Sequence, residues 1–142
     1  MKKFSKEALL LLARYGIGCA PVGKREELEE MIKKGSCNEE LLKLLFPTAY
    51  TAIVKSCKGL KTEEDVRKYF LLTHNKFVQK AGREDCSVYI AEVEKCYGRE
   101  CEVVHEKGVE RAKCFEELKE GDLVLVHLGY VVEKYDKNLH TR

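Results

Sequence analysis

The stretch Gly121-Asp122-Leu123-Val124-Leu125-Val126-His127-Leu128-Gly129-Tyr130-Val131-Val132-Glu133-Lys134 decides how the back of the chain folds. Val, Leu and Tyr crowd two short runs, Leu123–His127 and Tyr130–Tyr135, which is strand composition. Leu118-Lys119-Glu120-Gly121-Asp122 forms a turn before them. Working back, Cys86–Lys95, Glu100–Glu106 and Val109–Lys113 carry partial alternation and are rich in Val. Tyr97-Gly98-Arg99 and Lys107-Gly108 are turn signals between them. Five short strands in so few residues predict a small closed or half-closed barrel, because closure leaves no unpaired edge.

The texture changes at Gly82-Arg83-Glu84-Asp85, and everything before it reads as helix. Ser5 caps a helix running to about Tyr15, and Gly16, Gly18, Pro21 and Gly23 break it. A second helix spans Lys24 to Lys34, with Leu28, Met31 and Ile32 on one stripe. Ser36 with Glu39 has the pattern of a capping box for a third, which stops before Pro47. Pro47 opens a fourth through Val54, and Thr62 with Asp65 opens a fifth, TEEDVRKYFLLTHNKF. Within it, Thr73-His74-Asn75-Lys76 reads as a solvated face. The expected architecture is α+β: a small helical bundle over residues 1–84, then a β-module over 85–142.

Charge divides in the same place. Residues 1–84 carry 17 Lys/Arg against 11 Asp/Glu, a balance of +6, and residues 85–142 carry 9 against 13, a balance of −4. Two surfaces of opposite sign suggest different partners. An acidic β-module speaks against nucleic acid, whose phosphates require positive charge. The chain has no apolar run of about 18 residues, so no membrane span is expected. Its seven cysteines, an odd number with no CxxC pair, fit reduced thiols in the cytoplasm better than a disulfide framework.

The segment GDLVLVHLGYVVEK resembles the C-terminal barrel signature of the HypC/HupF hydrogenase-formation chaperones. Val103-Val104 and Val109-Glu110-Arg111-Ala112 fall where that family has its second and third strands, and the resemblance spans about Cys86 to Asp136. It implies a five-stranded OB-like barrel. It implies protein partners: a maturation scaffold of the HypD type and the precursor of the nickel–iron hydrogenase large subunit. It implies transient handling of an iron centre bearing cyanide and carbon monoxide. The family's cysteine and the histidine of its VLVH segment correspond by match to Cys86 and His127. A soft thiolate suits low-spin iron, and His127 would ligate or act on the thiol of Cys86. Two positions differ. The family's cysteine becomes the chain terminus, whereas Cys86 is internal, and Ile90-Ala91 stands where the family has Pro-Gly.

A second constellation, Cys96, Cys101, His105 and Cys114, has the pattern C-x4-C-x3-H-x8-C. Four N/S donors can hold zinc, although the spacing is wider than usual. The alternatives are filler cysteines or a Cys96–Cys101 disulfide. An adaptor barrel that has lost its metal and an OB-type nucleic-acid binder stacking bases on Tyr89, Tyr97 and Tyr130 are the competing functional readings. No Ser/His/Asp set, paired-carboxylate motif, Walker loop or HExxH is present, so the residues make no case for an enzyme.

Overall fold

A computed structural model describes residues 2–140, a mixed α+β chain whose helices precede a closed five-stranded barrel. Two units divide between Thr73 and His74. The first strand begins at Tyr89, three residues later than the sequence reading, and one short helix groups by contact with the barrel rather than with the other helices.

In the first unit, α1 (Lys6–Gly16) starts as expected, with Ser5 Oγ accepting from the Ala8 amide at 3.1 Å. α2 spans Val22–Lys34, α3 Glu39–Leu45, α4 Pro47–Ser56 and α5 Glu63–Lys68. The cap of α3 differs from the expected box. Asn38, not Ser36, accepts from the Leu41 amide, and Glu39 instead takes the Lys3 amide and the Tyr50 hydroxyl. α5 starts after Thr62 as read, and there Thr62 and Asp65 form a capping box. The core gathers Leu9, Leu12, Leu28, Leu42, Ile53 and Val66, with Tyr15 stacked on Phe70 and Phe4 on Tyr50.

Gly16 sits hard against Phe46. A Cβ there would lie 2.7 Å from the ring. Gly16→Ala is therefore expected to destabilise by about 1–3 kcal/mol through overpacking. Gly23 has nothing within 4 Å. Gly23→Ala should raise stability by about 0.5–1 kcal/mol through helix propensity. Urea melts of both variants check the opposed signs.

After α5 the chain passes through a π-helical segment, Tyr69–His74, and then α6 (Asn75–Lys80). A 3-10 turn over Glu84–Cys86 leads into β1 (Tyr89–Tyr97), β2 (Glu100–His105), β3 (Gly108–Lys113), β4 (Leu123–His127) and β5 (Tyr130–Lys134). The sheet closes in the order β1-β2-β3-β5-β4, the OB-like arrangement. β3 and β5 run parallel and the other neighbours antiparallel.

β1 is long enough to pair with β4 through Tyr89–Glu92 and with β2 through its second half. A register shift between Val93 and Lys95 adds one residue there. Ala91 and Val93 face the core, and after the bulge the inward phase moves to Cys96, which packs on it. Cys101, Val103, Ala112, Val124, Val126 and Val131 complete this core. Leu128 and Gly129 join β4 to β5 with φ values of 48° and 85°, the two left-handed positions of a type I′ hairpin turn.

Candidate functional site

Cys86 does not begin the first strand, as its sequence position suggests. Its amide bonds to Arg83 O at 2.9 Å and that of Ser87 to Glu84 O, so both residues belong to the 3-10 turn. The strand cannot start earlier because Val88 pairs with a side chain. Asn75 of α6 donates to Val88 O at 3.1 Å and accepts from Val88 N at 2.8 Å. The buried amide of Asn75 thus mimics one rung of a neighbouring strand and holds the turn against the barrel.

His127, at the end of β4, fixes the same turn from the other side. Its Nε2 lies 3.0 Å from the carbonyl oxygen of Cys86. A carbonyl only accepts, so Nε2 carries the proton and donates. His127 is fully buried and packs edge to face on His74, with ring centroids 5.0 Å apart. The imidazole therefore acts on the backbone of Cys86 through Nε2, in contrast to the action on its thiol read from the sequence. The sulfur is half-buried and takes a hydrogen bond from Arg83 Nη2 at 3.7 Å, placing a guanidinium beside it.

Two further features mark this end of the barrel as strained. Leu128, next to His127, holds a positive φ, which costs a non-glycine residue about 1 kcal/mol. The hydroxyl of Ser87, next to Cys86, is buried with no hydrogen-bond partner among the described residues, at a cost of about 1–3 kcal/mol. A cleft of about 650 Å³ opens beside the turn, lined by Glu84, Asp85, Tyr89, His105, Lys107 and Glu110. Lys107 reaches Glu84 at 2.9 Å across its edge.

His74 and Asn75 belong to the segment read as a solvated face. The segment Tyr69–His74 is π-helical, and its wider turns shift the helix phase, so Asn75, which a count of 3.6 residues per turn sets opposite Val66, is buried. Burial holds the His74 imidazole below its ordinary value of 6.5, against a smaller opposing effect of Asn75. The folded state then binds its proton less readily than the unfolded chain, so stability is full above about pH 6.5 and declines as the pH falls below it. Thermal melts between about pH 7 and pH 5 should show falling midpoints, and His74→Gln should flatten part of that fall.

The second constellation assembles only in part. Cys96 and Cys101 are cross-strand partners with sulfurs 3.0 Å apart, and Cys114 lies 3.8 Å from Cys101. His105 shares a face of β2 with Cys101 but stands roughly 13 Å along the strand. Both its nitrogens are engaged: Nδ1 accepts from the Lys107 amide at 3.1 Å and Nε2 donates to Glu110 at 2.7 Å. Its ring also stacks on Tyr89 at 4.6 Å. Among the described residues no three His, Cys, Asp or Glu side chains converge to hold a metal ion.

The tyrosines offered for base stacking are also committed. Tyr130 is 5% exposed and stacks on Phe115, and Tyr89 is covered by His105. Tyr97 is exposed, with Lys95 and Arg111 over its ring. No helix among the described residues is long and apolar enough to cross a membrane. The chain matches no family model, no curated protein and no solved structure.

Proposed function

We propose that this chain is an accessory protein of hydrogenase maturation, whose barrel binds a scaffold of the HypD type and a nickel–iron hydrogenase large-subunit precursor. Iron would be cargo passed between those partners, and Cys86 would be the contact that meets it. The observation that carries this reading is the pairing of Cys86 with His127, the two residues that match the family's cysteine and histidine. They lie on separate elements, yet His127 pins the carbonyl of Cys86 and leaves its sulfur half-exposed beside Arg83. A thiol held by its backbone and open at its sulfur suits handover, since one thiolate binds a soft metal without enclosing it. The remaining ligands would come from the partner and from the iron's own diatomic groups.

Calorimetric titration of the chain into a purified scaffold of the HypD type, under anaerobic conditions, tests this reading. Saturable one-to-one binding is expected. Absence of binding to both scaffold and precursor would remove it.

One observation favours a second reading, an adaptor barrel without metal. Cys86 has peptide bonds on both sides, so no α-amine stands beside its sulfur. An adaptor would bind its partner with no iron in the complex.

A further inference from the structure

Three sulfurs meet at the far end of β1 from Cys86. Cys96 and Cys101 face each other one rung from the β1–β2 turn, at 3.0 Å. Cys114 follows β3, its amide bonded to Arg99 O at 2.8 Å and its sulfur 3.8 Å from that of Cys101. The bulge in β1 turns Cys96 toward the pair, because without it strict alternation would send that side chain outward. Cys101 and Cys114 are buried and Cys96 is half-buried. Burial pushes the thiols of Cys101 and Cys114 up, so both are protonated near neutral pH. The fourth donor that a zinc site would need, His105, is engaged elsewhere.

We propose that Cys96, Cys101 and Cys114 form a thiol–disulfide exchange site whose substrate is a low-molecular-weight disulfide. Cys96 is the entry point, being the least covered of the three. Its thiolate attacks one sulfur of the small disulfide RSSR. The S–S bond breaks and one RS⁻ leaves, taking a proton to become RSH. Cys101 then gives up its proton and attacks the Cys96 sulfur of the mixed disulfide. The Cys96–Cys101 bond forms and a second RSH leaves. Two protein thiols lose two electrons, and RSSR gains them as two RSH. Cys101 is fully buried, so R is carried by Cys96 and the mixed disulfide resolves inward. Cys114 can attack Cys101 in turn, moving the bond to Cys101–Cys114 and restoring the Cys96 thiol.

Each of these cysteines falls on its own tryptic peptide, Cys96–Arg99, Glu100–Lys107 and Cys114–Lys119, so a digest reads the pairing directly. The full chain is treated with oxidised glutathione, blocked by alkylation and mapped by mass spectrometry. The expected product is Cys96–Arg99 linked to Glu100–Lys107, or Glu100–Lys107 linked to Cys114–Lys119, in either case cleaved by dithiothreitol. Cys96→Ser should slow loss of the Cys101 thiol at least tenfold. Glutathione that stays on Cys96, three unlinked alkylated peptides, or oxidation at an unchanged rate in Cys96→Ser would each overturn the proposal. The wild-type map needs no variant to fold. Cys86→Ser should give the same map, which keeps this result separate from the partner-binding reading.

Discussion

His127→Ala is expected to cost about 3–4 kcal/mol, the largest single loss in the barrel unit. Two effects add. The imidazole is fully buried, so truncation leaves a cavity among packed side chains. The Cys86 carbonyl also loses its donor. A loss of this size removes a large part of the stability of a small unit. His127→Gln separates the two effects. Its amide N–H can still donate to the carbonyl, so about half the loss should be recovered. Urea unfolding followed by circular dichroism checks both. Equal losses for Ala and Gln would mean that packing alone matters and that the bond to Cys86 contributes nothing.

Cys86→Ser is expected to weaken association with the proposed scaffold partner by about 2 kcal/mol or more, roughly a factor of 30. The fold should be unaffected, because Cys86 is half-exposed and its sulfur takes a long hydrogen bond from Arg83. A hydroxyl keeps nearly the same shape but is a hard donor with no thiolate chemistry at neutral pH. Loss of affinity with an unchanged melting temperature is therefore the signature of sulfur chemistry. Loss of both together would point to a structural part for Cys86.

The barrel was legible because its signals are local. The Val- and Leu-rich run of Leu123–His127 and the glycines at 98 and 108 place strands and turns without knowledge of the rest of the chain. What escaped the sequence depends on one inserted residue or on a distant partner. The bulge beside Glu94 brings Cys96 onto the core, and strict alternation cannot foresee it. The π segment Tyr69–His74 shifts the helix phase, so Asn75 meets Val88 where a 3.6-residue period sets it opposite Val66. Cys86 drops out of β1 because Asn75 takes the backbone of Val88, a bond between residues thirteen apart. In the pattern drawn through His105, alternation puts that residue on the face of Cys101, yet four residues of strand set it roughly 13 Å away, where it bonds Glu110 and stacks on Tyr89.

Anaerobic affinity capture of the tagged chain from its native cells, wild type beside Cys86→Ser, tests whether Cys86 carries iron between maturation partners. Bound proteins are identified by mass spectrometry and iron is quantified. A scaffold of the HypD type or a hydrogenase large-subunit precursor should come down with the wild type together with iron, and both should fall to background with Cys86→Ser. Other partners, free of iron and recovered equally by both chains, would contradict the claim and leave an adaptor barrel in its place.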